Sequence, residues 1–204
     1  AKAFGGEKGQ EYIEGKGWYE WPLHHIPLFM AFSFIAMIII FWMGGFPIAA
    51  AMVFATVLIL TTFLLGAIAV RVMGETGIEP VSGTSFIVLL MLLGLFLGYG
   101  DFFGLSKEEA ILIALVGTTV FGSAISMSGT VVADYKNSLY IGNRPYHISK
   151  GNIMGVVPGA ILGAGMAIFL SDLLADGTID LLAPQANAFA GFTVMLAEGQ
   201  GNLS

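Results

Sequence analysis

Asp134, Lys136, Asn137, Arg144, His147 and Lys150 crowd into one short stretch of a chain that is otherwise poor in charge. The segment around them, residues 126–163, joins the end of one long apolar run to the start of another. Charge, small polar residues and helix-packing glycines meet nowhere else in the sequence. Gly151, Gly155, Gly159 and Gly163 recur every four residues and so line one face of a helix, where another backbone can approach closely. They are expected to serve packing. Pro158 lies inside the same helix and frees a carbonyl that needs a neighbour, water or an ion. Upstream, Thr118, Thr119, Gly122, Ser123, Ser126, Ser128 and Thr130 give the preceding run an unusually polar face. Those hydroxyls can line a path or bond the carbonyl one turn back.

Two further constellations could do chemistry. Residues 74–85 bring Gly74, Gly77, Pro80, Ser82, Gly83, Thr84 and Ser85 to the edge of an apolar run. Such backbone is hard to keep helical, and irregular backbone at membrane depth survives only when protein buries it or water bathes it. The other reading is an ordinary loop with Ser82 or Thr84 as helix N-cap. Residues 182–187 place Pro184 at a helix opening with Gln185 and Asn187 close behind, so free N–H groups there could meet an anionic or carbonyl-bearing ligand. A plain helix start is the alternative. Adjacent His24 and His25 point about 100° apart on a helix and cannot share a metal as an i, i+4 pair would. No cofactor, metal site, catalytic constellation or nucleic-acid partner is expected, because the chain has neither metal-spaced ligands on one helix nor a Gly-rich phosphate loop after a strand.

The elements that position these residues are membrane helices. Hydrophobic residues make up 56% of the chain and charged ones 11%, with a mean hydropathy of +0.85, whereas soluble domains are about 25% charged. The chain lacks cysteine, which excludes disulfides and thiolate metal sites. A polar tail, residues 1–21, is expected to be cytoplasmic, with Trp18, Tyr19 and Trp21 forming an interfacial aromatic belt. Residues 22–204 are expected to form one all-α domain, a polytopic transmembrane bundle of about six spans, some broken or re-entrant. No charged side chain occurs from Pro22 to Val70, room for two spans that turn at Gly44, Gly45 and Pro47. A third run, Val81 to Gly100, ends among glycines, and a fourth, Ala110 to Ala133, opens after Ser106 as N-cap with acidic residues in its first turn. The fifth covers Gly151 to Leu174, and the sixth, Leu181 to Ala197, is marginal in length. If the loop from Asp134 to Lys150 is cytoplasmic, seven of the eight Lys and Arg lie inside and Lys107 lies outside.

Pro80-Val81-Ser82-Gly83 with Thr84, then Asp134-Tyr135-Lys136 with Gly142 and Pro145, then Ala183-Pro184-Gln185-Ala186 occur in the order seen in one family of carriers. In these motifs the chain resembles the oligopeptide transporter family, which includes the yellow-stripe-like carriers of metal chelates. The resemblance covers residues 74–200 and part of one half of that fold. It implies a secondary transporter, commonly proton-coupled, for small peptides or metal chelates. It also implies that Pro80, Ser82, Gly83, Asp134, Lys136, Pro184 and Gln185 belong to the substrate or ion pathway. Family members are much longer and built from two related halves, and six spans are too few to enclose such a pathway alone. The chain is therefore expected to be a fragment, a split or oligomer-forming half, or a non-transporting subunit whose glycine face packs inside a larger membrane complex. Its expected partners are the lipid bilayer and either copies of itself or other membrane subunits. It is not expected to be an enzyme.

Overall fold

A computed structural model describes residues 25–143, 145–177, 179 and 183–201, and the aromatic belt and tail expected ahead of His25 lie outside them. The described residues form helices without a strand: α1 His25–Met43, α2 Ile48–Thr76, α3 Val81–Gly98, α4 Gly100–Phe103, α5 Lys107–Tyr140, α6 Pro145–Ala175 and α7 Pro184–Gly201. Five of them, α1, α2, α3, α5 and α6, are long and apolar enough to cross a bilayer. The marginal sixth run does form a helix, α7, but it is not among these five.

The core sits where α2, α3 and α5 meet. Phe54 and Leu58 from α2, Val88, Leu89, Leu92, Leu93 and Phe96 from α3, and Ile113, Phe121 and Ile125 from α5 are all but inaccessible. Small residues on α5 let the three helices approach. A Cβ placed on Gly117 would stand 2.6 Å from both Leu92 and Phe54, and one on Gly129 would run into the Glu79 carboxylate and the Met73 sulfur. α1 packs on α2 through Phe41, whose ring lies 4.1 Å from that of Phe54. The outer faces remain apolar and exposed, as at Phe32, Ile40, Met154 and Leu162, which suits contact with lipid tails rather than water.

Short joints set the alternation. Gly45, at φ +93°, turns α1 into α2, and Pro47 caps α2 without a backbone donor to lose. Gly77, at φ +75°, stops α2 by donating its N–H to the Met73 carbonyl. α2 and α5 consequently run one way and α3 the other. The end of α3 at Glu79 meets the middle of α5, while Lys107 marks the opposite end. Phe86 touches Phe189 and Phe192, and Lys107 Nζ donates to the Ala197 carbonyl, so α7 runs parallel to α3. α6 and α7 thus both start from the Glu79 end.

The expected cytoplasmic loop from Asp134 to Lys150 is largely helical. α5 carries on to Tyr140 and α6 already begins at Pro145, where the missing N–H costs nothing in a helix's first turn. Gly142, at φ +73°, makes the reversal, and Asn143 donates to the Ser138 carbonyl while the Ser138 hydroxyl donates back to that of Asn143. Nothing between Ala133 and Tyr140 is a helix breaker, which is why α5 continues. At 34 residues, α5 is about 51 Å long against a hydrocarbon core of about 30 Å, longer than an upright crossing needs.

Candidate functional site

The two proline-marked helix starts come together in space. Pro80 precedes α3, and its carbonyl accepts from the Thr84 N–H at 3.2 Å and the Thr84 hydroxyl at 2.8 Å. Neither Ser82 nor Thr84 serves as N-cap; both lie inside the first turn. Pro184 opens α7, and Gln185 Nε2 donates to Ser82 Oγ at 2.8 Å across 103 positions of sequence. Pro80, Ser82, Gly83, Pro184 and Gln185 are thereby gathered at one corner. Gly83 leaves open space beside that corner, with nothing near enough for a Cβ to touch.

Beneath this bridge a groove of about 430 Å³ runs between α3, α5 and α7. Ser85, Leu115, Thr118, Thr119, Gly122 and Phe189 are among its walls. The Thr118 hydroxyl donates to the Ala114 carbonyl at 2.8 Å and that of Thr119 to Leu115 at 3.0 Å, so each turns its lone pairs away from its own helix. Ser85 is buried and its Oγ has no hydrogen-bond partner. Glu79 is half-buried at the same end of α3. It lies against Gly129 and accepts from Ser126 Oγ at 3.3 Å, a long and therefore weak bond.

Asp134 and Lys136 do not join this corner. Two positions apart on a helix, they point to opposite sides. Asp134 lines a second cavity, of about 320 Å³, together with Asn137, Ser138, His147 and Asn152, between the end of α5 and the start of α6. Lys136 is exposed. Tyr135, between them, reaches across to α6 and shares a 2.6 Å hydrogen bond with the Ser149 hydroxyl. Among the described residues no cluster of three His, Asp or Glu side chains could hold a metal ion.

Gly151, Gly155, Gly159 and Gly163 have no neighbour within 4 Å of an added Cβ, and the most apolar stretch of α6 has no residue buried within this chain. Within this chain, close packing is carried by Gly117, Gly122 and Gly129 of α5. The sequence held a signal for it: Gly122, Ser126 and Gly129 follow the i, i+4, i+7 spacing of one helix face. Ser85 and Ser126 were named in two separate polar stretches, and only the crossing of α3 on α5 sets Ser126 on Glu79 and Ser85 on Gly122.

A family model described as OPT oligopeptide transporter protein matches residues 20–204. No curated protein and no solved structure matches the chain.

Proposed function

The chain belongs to the OPT oligopeptide transporter family, and from that premise we propose that it moves small peptides or metal chelates across a membrane with coupled proton entry. The observation that carries this reading is the Ser82–Gln185 hydrogen bond, which ties two helix starts together over a groove. Pro80, Ser82, Gly83, Pro184 and Gln185 form one wall of the pathway, and Asp134 and Lys136 guard its water-facing approach from the end of α5. Arg71, Lys136 and Lys150 lie at the Glu79 end and Lys107 at the other, which supports a cytoplasmic Glu79 end and N-terminus.

Reconstitution into proteoliposomes tests it. An inward proton gradient is expected to drive uptake of a labelled tripeptide or an iron chelate, and collapsing the gradient is expected to abolish accumulation. Uptake indifferent to the gradient would remove the coupling, and no uptake of either cargo by folded protein would remove the transport. The uncovered glycine face of α6 favours an accompanying role, in which copies of this chain or other membrane subunits pack there. Native mass measurement in lipid reads that directly: a monodisperse monomer would count against it.

A further inference from the structure

We propose that the groove between α3, α5 and α7 seats an uncharged N–H donor, an amide or a ring N–H, on Ser85, Thr118 and Thr119, and so selects its ligand by neutral hydrogen bonding rather than by charge. In naming that ligand as cargo the inference rests on the transporter reading. Three observations lead to it. Both threonine hydroxyls spend their proton on their own helix, at 2.8 and 3.0 Å, so what they offer the groove is acceptor oxygen. Among the described residues no Asp, Glu, Lys, Arg or His lines the groove, and a charge brought into it would lose water without meeting a counter-charge.

Ser85 supplies the third. It is 4% exposed and its Oγ is unpartnered, although Thr84 beside it bonds the carbonyl four residues back. The Ser85 hydroxyl lies instead against Gly122, where a Cβ would come within 3.0 Å of it. Ser85 is nonetheless part of the groove wall, and a hydroxyl can both accept and donate. Phe189 offers a flat apolar wall to a planar amide, and Ala186, Ala190 and Gly122 keep the space open. At about 430 Å³ the groove falls within the range of small-ligand sites.

The test is equilibrium binding to the whole chain in lipid nanodiscs, by calorimetry. The probes are N-acetyl-dialanine methylamide, its depsipeptide analogue with ester oxygens in place of N–H, and zwitterionic dialanine. The amide is expected to bind roughly tenfold or more tightly than the ester and than the zwitterion, because Ser85 and Thr118 are buried and an acceptor left unmet there is costly. Thr118→Val with Thr119→Val keeps the shape and removes the oxygens, and is expected to bring amide and ester to near equality; Ser85→Ala should go part of the way. Equal binding of amide and ester by the unaltered chain, preference for the zwitterion, or a preference that survives in folded variants overturns the proposal. Proton-driven uptake without amide preference would remove this seat and leave the transporter reading intact. Amide preference without uptake would do the reverse.

Discussion

A methyl group separates glycine from alanine, and on this chain its effect depends wholly on which helix carries it. At Gly117 the added carbon meets Leu92 and Phe54, and at Gly129 it meets Glu79 and Met73. Overpacking of this kind costs about 1–3 kcal/mol, which outweighs the gain of up to about 1 kcal/mol in helix propensity. Gly117→Ala and Gly129→Ala are therefore expected to lower the midpoint of thermal unfolding in detergent. Gly155→Ala and Gly159→Ala, with open space around them, should leave it unchanged or raise it. The reverse pattern would move the packing face back to α6. Ser82 and Gln185 admit a second residue-scale test. A double-mutant cycle with Ser82→Ala and Gln185→Ala should show a coupling of about 0.5–1.5 kcal/mol, the worth of one ordinary hydrogen bond. Coupling near zero would mean that the two helix starts do not support each other.

At the scale of the element, helix ends decide where function can sit. Ser106 accepts from the Glu109 N–H at 3.3 Å while the Glu109 carboxylate accepts from the Ser106 N–H at 2.8 Å, a reciprocal cap that fixes the start of α5. Ser106→Ala is expected to cost about 1 kcal/mol, read as a lower unfolding midpoint with helicity otherwise retained. This cap was legible in sequence, because a serine followed three places later by glutamate before an apolar run has few other uses. The far end of α5 was not. Asp134, Lys136 and Asn137 look like loop residues by polarity, yet a helix that has already crossed the bilayer can carry polar side chains into water at little cost. Polarity there did not mark the end of the helix, which continues to Tyr140. The sixth run was legible as a helix opening at Pro184 but marginal as a span: Gln185, Asn187 and Glu198 keep α7 off the set of spans, while Phe189 and Phe192 still pack it on Phe86.

For the whole molecule, the parallel course of α3 and α7 is the strongest commitment, and the lack of native cysteine makes it testable without background. Ser82→Cys with Gln185→Cys is expected to cross-link with a short bifunctional reagent in native membranes, whereas Gly98→Cys with Gln185→Cys is not. Cross-linking of the second pair and not the first would reverse α7. Membrane residence, helical class, most helix boundaries and the family itself followed from the sequence, because hydropathy over about 20 residues, glycine and proline punctuation and short motifs are local properties of the chain. The polar corners of Pro80 and Pro184 were also visible there, but as separate places. Their union over one groove, the separation of Asp134 from both, and the close packing of α5 within this chain were decided only by tertiary structure. The physical reason is that such features are set by which helix faces meet, and in this chain a glycine stripe with a neighbour and one without read alike along the sequence.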